Sequence, residues 1–168
     1  SIIKSSGVSD DFHIGLLAAL PYVFGAIFLV WNSRHSDLHC ERRWHIAIPA
    51  VLGAVGLTLS AYCSGSTVWM MAWICLAMSG TLALIPTYIS LPGTLLSGTA
   101  AAAGIALVNS VGNLAGFFGP TVLGWLKDNT GSTNVGLYIL AAFLLLCAPL
   151  MFLLPAKLVN PRRDAGRS

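Results

Sequence analysis

Hydrophobic residues fill five long runs of this chain, and polar or charged residues are confined to short stretches between the runs. No Asp, Glu, Lys or Arg occurs between His45 and Lys127, so several runs follow one another without an intervening charge. Gly, Ser and Pro mark the breaks between them. The pattern predicts helices at 12–31, 44–62, 68–88, 97–126 and 135–154, a loop at 32–45 and a tail at 155–168.

The runs have the length of membrane-spanning helices, which need about 20 apolar residues, and they are too long for barrel strands of about 9–11 residues. The composition agrees, because 56% of the residues are hydrophobic, 9% are charged and the mean hydropathy is +0.79. Soluble domains carry about 25% charged residues. We therefore expect an all-α integral membrane protein, a bundle of five transmembrane helices.

The basic residues predict how this bundle is oriented. They concentrate in the loop and the tail, whereas the other connections hold only Lys4 and Lys127. Since basic loops stay on the cytoplasmic side, the loop and tail are expected there, and the N-terminal end outside. The net charge of +3 reflects this bias and does not indicate a nucleic-acid partner. The basic residues of the loop and tail are Arg34, Arg42, Arg43, Lys157, Arg162, Arg163 and Arg167.

Neither the first residues nor the cysteines indicate a processed, disulfide-bonded secreted protein. The chain opens at Ser1 without Met, basic leader or cleavage site, so we expect no signal peptide and a partial chain. The cysteines have no regular spacing and are interpreted as small core residues. They are Cys40, Cys63, Cys75 and Cys147.

Two prolines bracket the end of the third run. Pro86 and Pro92 enclose the stretch 87–91, and proline interrupts a helix because it lacks an N–H and its ring clashes with the preceding turn. A loosened helix end here could serve a gate. The alternative is a loop that simply begins at Pro86, since helices commonly end before proline.

The fourth run carries the strongest candidate for substrate binding. Asn109 and Asn113 are four residues apart, so their amides lie on one helix face, with Ser110 beside them. Amides are costly to leave unpaired in hydrocarbon, so they bind either a substrate in a water-filled cavity or another helix. Both interpretations stay open from residue type alone.

Small residues predict where helices pack closely. Gly112 and Gly116 form a GxxxG pair on the fourth run, and Ala50, Gly53, Ala54 and Gly56 form a less polar surface on the second. Tyr22 and the polar residues of the third and fourth runs favour the first, third and fourth helices as cavity walls. The second and fifth helices are expected to face mostly lipid.

The loop at 32–45 predicts a charged latch. Asp37 can accept hydrogen bonds from a helix N-terminus, and Arg34, Arg42 and Arg43 can hold carboxylates or helix C-termini. The alternative is a set of solvated charges that only sets topology. A metal site is disfavoured, because the neighbouring arginines repel a cation and the spacing fits no common zinc pattern. Its imaginable ligands are His35, His39, Cys40 and His45.

No catalytic constellation occurs in the sequence. The runs contain no Asp, Glu, Lys or Arg within the bilayer, and neither HExxH nor GxSxG is present. We therefore expect no enzyme, no cofactor and no bound metal. A proton-coupled step would need a titratable group from another part of the protein.

A family resemblance rests on the segments 14–16 with 21–22, 34–37 with 41–45, 96–104, 109–113 and 119–120. Together they resemble the C-terminal half of a major facilitator superfamily transporter of the anion:cation symporter branch. The resemblance covers nearly the whole chain. Two departures occur: Ile89 stands where members often have Trp, and Leu38 and Cys40 stand where the loop motif usually has Arg and Gly.

The resemblance implies helices eight to twelve of a twelve-helix fold, with alternating access between two half-bundles and a substrate site near the bilayer midplane. It implies that Asn109 and Asn113 contribute to substrate binding, with Tyr22 and Ser110 as weaker candidates. Charge recognition and coupling are expected from the N-terminal half-bundle, which this chain lacks.

The sequence thus predicts secondary transport of a small carboxylate, such as tartrate, phthalate or a sugar acid, across a bacterial inner membrane. A proton or other cation is the expected coupling ion, and the lipid bilayer and the missing half-bundle are the expected partners. Two alternatives are a neutral or cationic cargo on the same fold and a membrane scaffold subunit that transports nothing.

Overall fold

The computed structural model describes residues 11–63, 65–155 and 159–160, with side chains from Gly15 onward. These residues form helices and no strand, so the prediction of an all-α fold is confirmed. Five helical stretches in this part of the chain are long and apolar enough to cross a membrane, α3 and α4 counting as one. The helices are α1 (Asp11–His39), α2 (Trp44–Tyr62), α3 (Thr67–Ile89), α4 (Leu91–Leu95), α5 (Gly98–Thr130) and α6 (Thr133–Leu153).

Helix α1 continues to His39, so most of the predicted loop at 32–45 is helical and only the residues 40–43 connect α1 to α2. The onset of polar residues at Asn32 predicts a helix end there, but polarity alone does not end a helix. Two of those residues, Asn32 and Ser36, are instead buried and hydrogen-bonded. Helix α5 likewise extends beyond the predicted range at 97–126, because it includes Lys127 and ends at Thr130, before Gly131 with φ 67°.

Helix α3 runs through Pro86 and ends at Ile89, so the alternative of a loop beginning at Pro86 is wrong. Ser90 separates α3 from the short α4, and the Ser90 N–H still donates to the Pro86 carbonyl at 3.2 Å. A proline near the end of a helix removes one hydrogen bond without stopping the turn that follows.

Helix α2 lies between α3 and α6, and α1 packs along the other side of α3. The contact between α2 and α3 is very close: a Cβ on Gly56 would lie 2.5 Å from the Ala77 nitrogen, and one on Gly80 would collide with the backbone of Pro49 and Gly53. The predicted small-residue surface of the second helix is therefore confirmed as a packing seam.

The expectation that the second helix mostly faces lipid is wrong. Its Gly and Ala side is buried against α3 and α6 because small side chains let the helices approach. Only its bulky side is exposed, including Trp44, Ile48 and Val51. Helix α2 is thus a central helix of the described bundle, with one face left open.

Helix α5 has no buried residue and contacts mainly α4 and α6. A Cβ built on Gly112 or Gly116 meets no atom of the described chain within 4 Å. The GxxxG surface of the fourth helix therefore has no packing partner in this part of the protein. That it packs against another helix remains a prediction.

One end of the bundle, called the basic end, contains the end of α1, the start of α2 and the end of α6. Arg42 and Arg43 lie there, and Arg42 Nη1 donates to the Ser90 carbonyl at 3.4 Å. At the opposite end, Asn134 Nδ2 donates to the Ala61 carbonyl at 3.2 Å and joins α6 to α2. The predicted N-terminal segment and most of the predicted tail at 155–168 lie outside the described residues.

Candidate functional site

Asn109, Ser110 and Asn113 lie exposed in the middle of α5. The Ser110 hydroxyl donates to the Ala106 carbonyl of its own helix at 2.8 Å. The two asparagine side chains make no hydrogen bond to any residue that the structure describes. The structure therefore places two open amides one helical turn apart, and both a substrate and a helix from outside the described residues remain possible partners.

Tyr22 also lies exposed, with 61% of its surface accessible, but on a different side of the described bundle. It belongs to α1, which packs along α3, whereas α5 packs against α4 and α6. Tyr22 is thus not brought together with Asn109 and Asn113 by the main helix contacts. Its role in substrate binding remains a prediction.

A polar cavity of about 160 Å³ opens between α1 and α3 at the basic end. Thr87 is only 4% exposed, and its hydroxyl has no hydrogen-bond partner among the described atoms; the same holds for the buried hydroxyl of Ser33. A polar cavity of this size holds water or a small polar group. It is lined by Ser33, Ser36, Asp37, Arg42, Pro86, Thr87 and Ser90.

Asn32, which the sequence interpretation placed in a loop, joins three helices beside this cavity. Its side chain is 3% exposed, and Nδ2 donates to the His45 carbonyl of α2 at 3.0 Å and to the Ala83 carbonyl of α3 at 3.2 Å. The residue four positions after His45 is Pro49, which has no N–H to donate. Asn32 thus supplies the donor that Pro49 lacks. The sequence signal for this role is Pro49 four residues after His45, because it leaves the His45 carbonyl without its helical donor.

The predicted latch is only partly assembled. Arg42 Nη2 lies 3.9 Å from Asp37 Oδ1, and the side chain of Arg42 is 13% exposed whereas that of Asp37 is 72% exposed. Arg43 Nη2 donates to the Phe152 carbonyl at 2.7 Å. Arg34 is exposed and makes no hydrogen bond or ion pair with the described residues. Arg42 and Arg43 therefore connect the α1–α2 turn to α3 and α6, and Arg34 does not.

The histidines of the basic end form a ring cluster. His35 Nδ1 and His45 Nε2 share a hydrogen bond at 2.7 Å, and the His39 ring stacks on His35 with centroids 4.0 Å apart. His45 Nδ1 lies 3.2 Å from Glu41 Oε2. Within the described ranges no three His, Cys, Asp or Glu side chains are arranged to hold a metal ion.

Cysteine positions differ from the expected core placement. Cys147 is exposed on α6, and Cys40, Cys63 and Cys75 are only partly buried. Cys40 ends α1 with φ 50°, a left-handed conformation that costs most residues about 1–2 kcal/mol. It occupies the place where the resemblance implies Gly, the residue that adopts a positive φ without steric cost.

Comparison with known proteins accords with this architecture. The chain is 40% identical over 160 residues to a putative metabolite transport protein of Pseudomonas putida, covering 95% of this chain and 37% of that protein. It is 43% identical over 155 residues to a putative tartrate transporter of Agrobacterium vitis, covering 91% and 34%. It is 39% identical over 158 residues to a quinolone resistance transporter of Acinetobacter baumannii, covering 94% and 36%.

The chain thus spans little more than a third of the length of these relatives. No solved structure matches it. The family model described as Major Facilitator Superfamily matches residues 1–168. This match shows that the chain belongs to the Major Facilitator Superfamily, in agreement with the five described helices that are long and apolar enough to span a membrane.

Proposed function

We propose that the protein containing this chain carries a small carboxylate across a bacterial inner membrane by alternating access, in symport with a proton or another cation. The observation that carries the proposal is the pair of open amides, Asn109 and Asn113, in the middle of α5. An amide in hydrocarbon costs free energy unless it finds a partner, so these two side chains face either a hydrated cavity or another half-bundle.

The carboxylate cargo is supported by chemistry and by relatives. Each amide offers two N–H donors, which can bind the oxygens of a carboxylate, and the Ser110 hydroxyl lies beside them. One relative is named a putative tartrate transporter, and the sequence resembles the anion:cation symporter branch. The described membrane-spanning helices contribute no acidic or basic group near Asn109 and Asn113. Charge recognition and coupling are therefore assigned to the half-bundle that this chain lacks.

In this proposal the basic end is cytoplasmic, following the concentration of basic residues there. Arg42 holds the α1–α2 turn to α3 beside the polar cavity, and Asp37 stays exposed at 72%. An exposed carboxylate is free to meet a partner from the other half-bundle when the transporter closes at this end. Asp37 and Arg42 are therefore proposed as the working part of the latch, and Arg34 as solvated.

The test is an uptake measurement with the complete transporter in proteoliposomes and radiolabelled tartrate. Asn109→Ala and Asn113→Ala are compared with Asn129→Ala, a matched control on the same helix whose amide donates to the Trp125 carbonyl at 2.8 Å. Loss of one substrate hydrogen bond of about 1.4 kcal/mol raises KM about tenfold. We expect that rise in the first two variants and an unchanged KM in the control.

Unchanged KM in both site variants would reject the binding role. Uptake that persists after the proton gradient and then the sodium gradient are collapsed would reject symport. A second candidate cargo is a quinolone, since one relative is named a quinolone resistance transporter. Quinolone transport without carboxylate transport would favour that cargo, and the absence of any flux would favour a scaffold.

A further inference from the structure

A groove runs between α2 and α6 at the basic end, on the bulky side of α2 that the rest of the described bundle leaves open. Its volume is about 250 Å³, and all the residues that line it are hydrophobic. Trp44 and Ile48 of α2 are 56% and 51% exposed, and Phe152 of α6 is 38% exposed. The groove is therefore an apolar furrow on the outer surface of the described bundle.

The groove has the dimensions of a site for a lipid chain. Its α2 wall extends from Trp44 to Leu52, which is about 12 Å at 1.5 Å per residue. The hydrocarbon core of a bilayer is about 30 Å thick, so the groove fits within one leaflet. Its mouth lies at the start of α2, where Trp44 has the amphipathic ring that favours the membrane interface.

The guanidinium of Arg43 lies at this mouth. Arg43 Nη2 donates to the Phe152 carbonyl at 2.7 Å, and the Arg43 Cζ atom lies 4.9 Å from the centroid of the Phe152 ring. No carboxylate of the described residues lies within ion-pair distance of Arg43. A guanidinium has five N–H donors. The Nε atom of Arg43 is buried without a partner and Nη2 donates to Phe152, so the donors left for a ligand from outside the described chain are the two hydrogens of Nη1 and the second hydrogen of Nη2.

The acidic residue closest in sequence does not neutralise this cation. Glu41 Oε2 accepts from the Trp44 backbone N–H at 3.0 Å and lies 3.2 Å from His45 Nδ1. Glu41 Oε1 lies 3.4 Å from Asn160 Nδ2, which donates to it. The carboxylate is thus engaged at the start of α2, and no carboxylate of the described residues pairs with Arg43 at the mouth of the groove.

We propose that this groove binds one phospholipid with an anionic headgroup, its acyl chain along Ile48 and Val51 and its phosphate on the Arg43 guanidinium. Arginine pairs with phosphate through two parallel N–H···O bonds. An anionic headgroup is favoured over a zwitterionic one because basic residues near a membrane attract anionic lipid. The site depends on the membrane-spanning helices alone and not on the identity of the cargo.

The test measures lipid adducts by native mass spectrometry on the complete transporter, released from detergent with phosphatidylglycerol or phosphatidylcholine of identical chains. We expect wild type to retain phosphatidylglycerol about tenfold more tightly. Arg43→Gln should abolish that preference. Arg34→Gln, which removes an exposed arginine from the same end, should keep it.

Ala148→Phe tests the groove separately, because the larger ring occupies the space between α6 and α2. We expect it to weaken binding of both lipids, while far-UV circular dichroism verifies that the variant remains helical. Arg43→Lys keeps the charge and should retain part of the preference, which covers the case of a misfolded glutamine variant. Equal retention of the two lipids by wild type would overturn the proposal. The proposal would also be overturned if Arg43→Gln and Arg34→Gln changed the preference for phosphatidylglycerol equally, or if an acidic peptide displaced phosphatidylglycerol.

Discussion

Replacing Asn32 by Ala tests whether this buried amide completes the hydrogen bonding of α2. The substitution removes two donated hydrogen bonds, to the His45 and Ala83 carbonyls. The Ala83 carbonyl keeps its helical partner, so that loss costs about 0.6 kcal/mol, typical of hydrogen bonds between membrane helices. The His45 carbonyl keeps none because Pro49 has no N–H, and a part-buried orphan carbonyl costs about 1 kcal/mol. The expected loss of unfolding free energy is about 1.5–2 kcal/mol.

The assay is a double-mutant cycle on the complete transporter, unfolded reversibly in mixed micelles and followed by far-UV circular dichroism. In a Pro49→Ala background, the new N–H at position 49 can donate to His45. Asn32→Ala should then cost only about 0.6 kcal/mol, leaving a coupling of about 1 kcal/mol.

Pro149→Ala in α6 is the matched control, because it also replaces a helical proline but lies away from the His45 and Ala83 carbonyls that Asn32 contacts. The cost of Asn32→Ala should be the same in that background as in wild type. An equal cost in the Pro49→Ala background as well would refute the reasoning, since the orphan carbonyl would then contribute nothing.

Three further substitutions test the packing seam, the latch and the end of α1. Gly80→Ala should lower the unfolding free energy by about 1–3 kcal/mol, because its Cβ would collide with the α2 backbone. Gly124→Ala is the control and should not lower it, because the space around Gly124 is open. Similar unfolding free energies for the two variants would refute the close approach of α2 and α3. Asp37→Asn should change the unfolding free energy by less than about 0.5 kcal/mol, because the carboxylate is exposed. The same variant should lower kcat for uptake, and an unchanged kcat would show that Asp37 has no role in the latch. Cys40→Gly should raise the unfolding free energy by up to about 1 kcal/mol, because Gly adopts a positive φ without strain. Cys147→Gly within α6 is the matched control and should lower the unfolding free energy. A lower unfolding free energy in both variants would contradict the strain at Cys40.

The candidate site shows where inference from the sequence stops. The spacing of Asn109 and Asn113 was enough to put both amides on one face of a helix, because helical periodicity is local. The sequence pattern predicts a loop at Asn32, and the structure corrects it, because the role of Asn32 depends on carbonyls 13 and 51 residues away in the chain. The sequence predicts the small-residue surface on α2. It does not show that Gly80 of α3 packs against this surface, because that contact depends on how the two helices pack.

The sequence by itself determined that this chain is a membrane protein of five spanning helices, because transfer of apolar side chains into lipid is summed residue by residue along a run. Backbone hydrogen bonding then required those runs to be helices. The tertiary structure decided which face of each helix is buried, why α2 is central, and why α1 continues as a helix through its polar end. Those outcomes depend on close contacts between distant residues, and the energy of such a contact belongs to the pair and not to either residue alone.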